Sequence, residues 1–232
     1  MLSESVWFLC PGIHGLKEWM SCETTWWKSH WWSQWTAVDR STLETVTLPS
    51  DEFVDALCER LEALQTHSFI AKQQSQFYDQ CKQSWNPAEV VVSADFSENY
   101  SFVLQDVAQG FHWNNSQSTI HPFVIYFHNL SHASFVVISD CMSHDTIAVY
   151  LFQKRLISFL RSKLGCLPKK IYYFSDGAAS QYKNRKKIVN LCLHNHEWHF
   201  SATSHGKGAC DGLGGTVKRL AAKASLQRPY ED

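Results

Sequence analysis

The sequence predicts an α/β fold in which a mixed β-sheet is flanked by helices, preceded by a Trp-rich and helical N-terminal extension. Short runs of β-branched and aromatic residues at 89–95, 119–127 and 170–175 predict buried strands. Apolar residues recur at helical spacing between them, as in the stretch that follows Ser143. Early strands followed by alternating helices and strands predict an antiparallel meander that leads into parallel crossovers.

The N-terminal extension is predicted to comprise residues 1–87. Five tryptophans fall within residues 26–35, and this composition favours strands or a clamp against the core over a helix. The acidic stretch that starts at Ser50 predicts a helix, because a capping serine and early acids stabilise a first helical turn. The apolar pattern that follows predicts one long helix, or two with a break near residues 66–68.

The core is predicted to occupy residues 88–232, and truncation at its C-terminal end remains open because the chain stops soon after the last helix. Its predicted strands cover 89–95, 100–105, 119–127, 134–139, 170–175 and 197–203. Its predicted helices cover 143–164, 179–194 and 210–225, the last entered through a Gly-rich loop. This order of elements is that of the ribonuclease H-like fold.

The two halves of the chain carry opposite charge. Residues 1–150 hold 6 lysines and arginines against 17 acids, whereas residues 151–232 hold 15 against 5. A net charge near zero that results from an acidic first part and a basic second part predicts a polyanion-binding face in the second part. The alternative is a lysine-rich helical surface that is merely solvated.

Three aspartates are the candidate metal ligands. Asp95 ends the first core strand and Asp176 ends the strand of 170–175, and sites in open α/β sheets form beyond the carboxyl ends of strands. Asp211 follows Asp176 by 35 positions, at the start of the last predicted helix. Isolated carboxylates in basic surroundings suit a phosphate-cleaving metal site, whereas capping of a turn or helix is the alternative role for each acid.

Together these acids resemble the catalytic triad of the DDE/D transposase and retroviral integrase superfamily. The likeness covers residues 88–225, and the sequence blocks around Asp176 and Asp211 are similar to those of transposon-derived animal proteins. The third acid is Asp where many relatives have Glu. The resemblance implies that Asp95, Asp176 and Asp211 are catalytic and bind two Mg²⁺ or Mn²⁺ ions for phosphodiester cleavage and strand transfer on DNA.

Basic residues around the acids are the candidate DNA contacts. They are Lys183, Arg185, Lys186 and Lys187 in a cationic run, His205 and Lys207 in a glycine-rich loop, and Lys218 and Arg219 after the third acid. Gln181, Tyr182 and Asn184 are further candidates for base or sugar contacts. The expected partner is therefore DNA, with no membrane and no small-molecule cofactor, and a homo-oligomer remains open.

Other constellations offer alternatives. Cys192, His194, His196 and His199 suggest a zinc site, although four ligands within eight residues cannot easily surround one ion. Asp145 would favour a ribonuclease H-like nuclease if it faced the other acids, and otherwise belongs to the first helical turn after a Ser143 cap. A catalytically silent, transposon-derived DNA- or protein-binding module is the remaining alternative.

The sequence also predicts an intracellular, nuclear protein. Its eight cysteines are scattered without a Cys-x-x-Cys pair, which is typical of reduced thiols. The N-terminus has an acid at Glu4 and no basic stretch, so it is a poor signal peptide. No apolar run approaches the roughly 18 residues that a membrane-spanning helix needs.

Overall fold

The computed structural model describes most of the chain in seven segments. They are residues 29–37, 41–83, 86–102, 116–128, 131–194, 196–202 and 208–227. The chain divides into two compact units, Met1–Ile70 and Ala71–Asp232. This division lies inside a long helix, earlier than the boundary that the sequence places at residue 87.

The first unit contains an antiparallel hairpin of β1 (Ser29–Ala37) and β2 (Ser41–Pro49). Three of the clustered tryptophans lie in β1, so the strand prediction is confirmed there, while residues 1–28 fall outside the described ranges. Helix α1 (Ser50–Lys82) follows β2 directly and runs without a break through residues 66–68. The single-helix alternative is therefore the one that the structure adopts.

The second unit contains the predicted core. Its elements are β3 (Glu89–Ala94), β4 (Ser97–Ser101), β5 (Gln117–Phe127), β6 (His132–Ser139), α2 (Thr146–Leu164), β7 (Lys170–Ser175), α3 (Arg185–His194), β8 (Glu197–Phe200) and α4 (Ala209–Gln227). The strand predicted at 100–105 begins earlier, as β4, and the helix predicted at 179–194 begins later, as α3.

The sheet has the strand order β6-β5-β3-β7-β8, and β4 pairs with the beginning of β5 beside β3. Strand β5 is antiparallel to β3, β4 and β6, whereas β7 is parallel to β3 and β8 is parallel to β7. A meander of antiparallel strands followed by two parallel crossovers is the ribonuclease H-like topology. The predicted fold class, a mixed sheet flanked by helices, is confirmed.

The two faces of the sheet have different roles because successive side chains of a strand alternate between them. Val90, Val92 and Ala94 of β3 belong to the buried core together with Phe152 and Leu156 of α2. The intervening residues of β3 point to the opposite face, where the Ser93 hydroxyl lies 2.7 Å from that of Tyr78 in α1. The strand-end acids lie on this second face.

Helix α2 is capped at both ends by residues that suit those positions. Asp145, in extended conformation, accepts hydrogen bonds from the backbone N–H groups of Ile147 and Ala148 at 2.9 Å. Gly165 ends the helix with a φ of 74°, a conformation that glycine adopts without steric cost. The predicted cap at Ser143 is thus wrong by two residues, because the Asp145 carboxylate itself reaches the free N–H groups. Among the described helices, none has the length and apolar character needed to cross a membrane.

Candidate active site

Asp95 and Asp176 lie level with each other at the ends of neighbouring parallel strands. The register pairs Ser93 of β3 with Phe174 of β7, so two further residues along each strand lead to the two aspartates. Residues two apart on a strand share a face, which places both carboxylates on the face of Ser93. The predicted adjacency of these two strands is confirmed.

Each of the three candidate acids is oriented by a nearby backbone N–H group. Asp95 accepts a hydrogen bond from Phe96 at 2.8 Å, and Asp176 accepts one from Ala178 at 3.2 Å. Asp211, in the first turn of α4, accepts one from Gly208 at 2.9 Å. These bonds fix one oxygen of each carboxylate, and no other hydrogen bond within the described ranges uses the second oxygen.

The charges of Asp176 and Asp211 act electrostatically on Asp95. Burial raises the pKa of Asp95 most, the charge of Asp176 raises it further, and the charge of Asp211 adds a smaller increase. The hydrogen bond from the Phe96 N–H opposes these effects, and the resulting pKa of Asp95 is about 7. Asp211 is therefore within electrostatic range of Asp95.

The donor set suits a hard divalent cation, because carboxylate oxygens are the ligands that Mg²⁺ and Mn²⁺ prefer. Burial is the largest cause of the raised pKa of Asp95, and a bound cation would relieve the smaller part that comes from the charges of Asp176 and Asp211. Over the part of the chain that the structure describes, no three His, Cys, Asp or Glu side chains are arranged to hold one ion. The described geometry therefore places Asp211 within electrostatic range of Asp95 without forming a three-ligand cage.

A cleft of about 930 Å³ opens beside these acids on the second face of the sheet. Asp95 and Asp176 line it, together with Lys183 and the start of α4. The part of α1 that belongs to the second unit lines it as well, through Phe77 and its neighbours. Ligand pockets of proteins commonly have volumes of roughly 300–1,000 Å³, so the cleft is large enough for a nucleotide unit of a strand.

Polar contacts of Tyr182 and Asn184 hold the segment between Asp176 and α3 against its neighbours, while Lys183 of the same segment is exposed at the cleft. The Tyr182 hydroxyl is fully buried and lies 2.9 Å from Nε2 of His121 in β5. Asn184 donates a hydrogen bond to the Thr146 hydroxyl at 2.7 Å, and that hydroxyl donates one to the Ser180 carbonyl. Tyr182 and Asn184, predicted as base or sugar contacts, instead connect this segment to β5 and α2.

The sequence does not predict the contact between His121 and Tyr182, because the two residues lie far apart in the chain. They are separated by 61 positions, and local patterns within one element give no information on contacts with another. The available signal was a histidine inside the apolar run of β5, since a buried imidazole needs a hydrogen-bonding partner. Burial lowers the pKa of His121 to about 3, so its ring is neutral in this position.

The cationic run after Asp176 divides into exposed and buried residues. Lys183, Arg185 and Lys186 are exposed, as expected for DNA contacts. Lys187 is only 2% exposed, donates a hydrogen bond to Gln153 at 2.5 Å and lies 4.2 Å from the centroid of the Trp198 ring. Burial lowers its pKa to about 7. The prediction that Lys187 contacts DNA is therefore wrong, because its ammonium group points into the core.

The remaining predicted DNA contacts lie near α4 or outside the described segments. Lys218 forms an ion pair of 3.7 Å with Glu98, and exposed Arg219 donates a hydrogen bond to Thr216. His205 and Lys207 lie outside the described residues. Lys218 is thus partly neutralised by an acid of β4, whereas the side chain of Arg219 remains at the surface.

The alternatives based on other side chains receive no geometric support. Nε2 of His199 lies 3.1 Å from Glu197, and Glu197 also forms a 2.6 Å ion pair with Lys170, whose hydrogen bond lowers the pKa of Glu197. The side chains of Cys192 and His194 lie outside the described residues, so the four-ligand zinc alternative lies partly outside them as well. Asp145 caps α2 and is neither among the charges that act on Asp95 nor among the residues that line the cleft, so it lends the ribonuclease H alternative no support.

Comparison with family models assigns most of the chain. The model described as "Domain of unknown function (DUF8701)" matches residues 74–232. The chain belongs to this family. A second model, "Domain of unknown function (DUF8700)", matches residues 8–65. The two matches fall on either side of the middle of α1, and no curated protein matches the sequence.

Three solved structures illustrate what the fold is similar to. The Mos1 mariner paired-end complex with Mn is 12% identical with a TM-score of 0.40, covering 72% of this chain and 51% of that one. The Mos1 transposase paired-end complex with the left transposon end is 11% identical in sequence and has a TM-score of 0.37, and the match covers 71% of this chain and 56% of that one. A chain of the simian T-cell lymphotropic virus intasome is 10% identical in sequence and has a TM-score of 0.34, and the match covers 65% of this chain and 47% of that one. The chain spans about half the length of these chains, and identities this low concern the fold alone.

Proposed function

We propose that the chain carries the catalytic core of a transposase-like enzyme, which cleaves and joins DNA phosphodiesters with the help of divalent metal ions. The observation that supports this most directly is the level placement of Asp95 and Asp176 on parallel strands, within electrostatic range of Asp211. A cluster of acids in a cleft bordered by cations combines metal ligands with contacts for a polyanion.

The chemistry of the proposed site follows from its donors. Asp95, Asp176 and Asp211 would hold two Mg²⁺ or Mn²⁺ ions, and such ions would supply activation of a water or 3′-hydroxyl and stabilisation of the leaving oxygen. Because the pKa of Asp95 is raised to about 7, binding of a cation and loss of the Asp95 proton are linked events. The backbone N–H groups of Phe96, Ala178 and Gly208 hold the acids in fixed orientations meanwhile.

The first experiment tests the acids. We expect the purified chain to nick supercoiled plasmid DNA with Mg²⁺ or Mn²⁺, and Asp95→Asn or Asp176→Asn to abolish nicking while the protein still folds. Asp145→Asn is the matched control, because asparagine caps a helix about as well as aspartate and this residue is engaged at the start of α2. Nicking that survives both active-site substitutions would contradict the proposed site.

The second experiment tests the DNA-binding face. Each phosphate contact contributes about 0.9 to the slope of log affinity against log salt concentration. Reversing Lys183, Arg185 and Lys186 to Glu should therefore weaken binding to all DNA sequences alike and flatten the slope by about 3. The charge-matched control reverses three exposed residues of α2: Arg155, Arg161 and Lys163.

The outcomes of the second experiment separate the alternatives. Equal loss in both triple variants would mean that net charge alone attracts DNA, and would contradict a defined face. DNA binding without nicking under any metal condition would favour a catalytically silent DNA-binding module instead. Absence of DNA binding at low salt would favour a module that binds proteins.

A further inference from the structure

We propose that the aromatic half of the cleft is a subsite for an unpaired nucleobase of the DNA strand that the acids act on. We call Phe77, Phe174 and His199 the aromatic wall. The inference rests on the proposed function only in taking DNA as the molecule that enters the cleft. It adds that the strand enters with at least one base out of its helical stack.

The aromatic wall is a continuous set of rings contributed by three elements. The ring of Phe77 in α1 lies 4.8 Å from that of His199 in β8 and 6.2 Å from that of Phe174 in β7. The rings of Phe174 and His199 are stacked at 5.0 Å. Phe77 is nevertheless 39% exposed, so the wall presents aromatic surface to the cleft instead of closing over it.

The aromatic wall lies at nucleotide distance from the acids. Phe174 of β7 precedes Asp176 by two residues, Asp176 follows directly after the end of that strand, and both line the cleft. Two residues of a strand span about 7 Å, a separation that one nucleotide bridges between its base and its phosphate. A phosphate at the acids would therefore bring an adjoining base to the wall.

The charges around the aromatic wall favour a nucleic acid over an apolar partner. Lys183, exposed at the cleft, lies 5.8 Å from the ring of Phe200, whereas Lys82, which also lines the cleft, is paired with Asp79 at 2.7 Å. Cations beside rings recur where proteins bind single strands, since the cations attract phosphates and the rings stack on bases. An apolar peptide in the cleft would remove Lys183, Asp95 and Asp176 from water without offering them polar partners.

The base must be unpaired, because a paired base is covered on both faces by its neighbours in the duplex. Stacking on a protein ring requires a base that has left the stack or belongs to a single strand. The subsite should consequently discriminate between single-stranded and duplex DNA, whereas the cations of α3 should not.

The experiment measures binding without catalysis, in EDTA. A labelled oligodeoxythymidine carrying one 2-aminopurine is titrated with the full chain, and anisotropy and 2-aminopurine quenching are followed; a duplex of equal length is titrated in parallel. Phe77→Leu keeps apolar volume but removes the ring, and should weaken single-strand binding about five- to 150-fold, the range expected for one stacked base. Phe77→Trp should retain both affinity and quenching.

Phe69→Leu is the matched control, because Phe69 is an aromatic residue of the same helix that is 64% exposed and does not line the cleft. Unchanged single-strand binding by Phe77→Leu, equal loss in Phe69→Leu, or parent binding that shows no preference for single strands would each overturn the subsite. Unfolding midpoints of the variants show whether a loss reflects misfolding. Failure of the proposed function would appear separately, as absence of metal-dependent nicking by a chain that still binds and quenches the single strand.

Discussion

Replacing Asp95 by Asn should stabilise the metal-free protein, and by an amount that grows with pH. The pKa of Asp95 is raised from 3.8 to about 7 in the folded state, chiefly by burial and then by the charge of Asp176. A raised carboxyl pKa means that the folded state binds a proton that the unfolded state has lost. The unfolding free energy therefore falls as pH rises from about 4 to about 7, and stays low above that range.

The size of this effect has an upper limit. A pKa difference of about 3 corresponds to about 4 kcal/mol at pH 8, since each unit is worth about 1.36 kcal/mol. Asp95 is only half-buried, so solvent screening reduces the effect, and we expect a gain of about 2 kcal/mol for Asp95→Asn at pH 8. At pH 5 the gain should be less than half of that, because Asp95 of the parent is then already protonated in the folded state.

The assay is urea unfolding followed by tryptophan fluorescence, at several pH values between 5 and 8, in EDTA. Mg²⁺ added at pH 8 should stabilise the parent in proportion to the logarithm of its concentration above the dissociation constant, and should stabilise Asp95→Asn less. A difference between parent and variant that stays constant from pH 5 to 8 would refute the electrostatic reasoning. So would a variant that is less stable than the parent at pH 8.

Two further predictions concern residues that hold the core together. The gain in unfolding free energy from Lys187→Met, relative to the parent, should be larger at pH 6 than at pH 9 by up to about 3 kcal/mol. The reason is that Lys187 has a pKa of about 7 in the folded state, so that its charged form destabilises the parent at low pH. Urea unfolding that gives the same difference between variant and parent at both pH values would contradict this. Gly214→Ala should lower the unfolding free energy by about 1–3 kcal/mol, because a Cβ at residue 214 would lie 2.5 Å from Oγ and 2.8 Å from Cβ of Ser97. Adding Ser97→Gly should restore part of the melting temperature in thermal unfolding. A double variant that melts no higher than Gly214→Ala would rule out this contact as the cause.

The strands and the strand-end acids were predictable because their signals are local. The apolar runs around Val91, Ile125 and Ile171 identify buried strands, and the alternation of helices and strands after β6 requires parallel crossovers. Once β3 and β7 are neighbours, an acid directly after each strand has to lie at the same edge. Asp95 and Asp176 follow from these steps without any knowledge of side-chain packing.

Burial of Lys187 was not predictable in this way. Its neighbours Arg185 and Lys186 are exposed, and a run of three basic residues at the start of a helix is usually solvated. Two partners from other elements stabilise its buried ammonium group: Gln153 of α2 accepts a hydrogen bond from it, and the ring of Trp198 of β8 makes a cation–π contact with it. Neither partner is visible as such in the local sequence pattern.

The position of Asp211 depends on packing at another residue of the same helix. Gly214 follows Asp211 by three residues, so the two lie on neighbouring parts of one face of α4. The absence of a side chain at Gly214 lets α4 approach Ser97 of β4, and β4 continues directly from the segment that carries Asp95. A methyl group at residue 214 would push this end of α4 away from the sheet and carry the third carboxylate with it. The packing of Gly214 against Ser97 therefore helps to keep Asp211 near Asp95, and Gly214→Ala should lower the pKa of Asp95 slightly, because Asp211 is the smallest of its causes, as well as lower the stability of the fold.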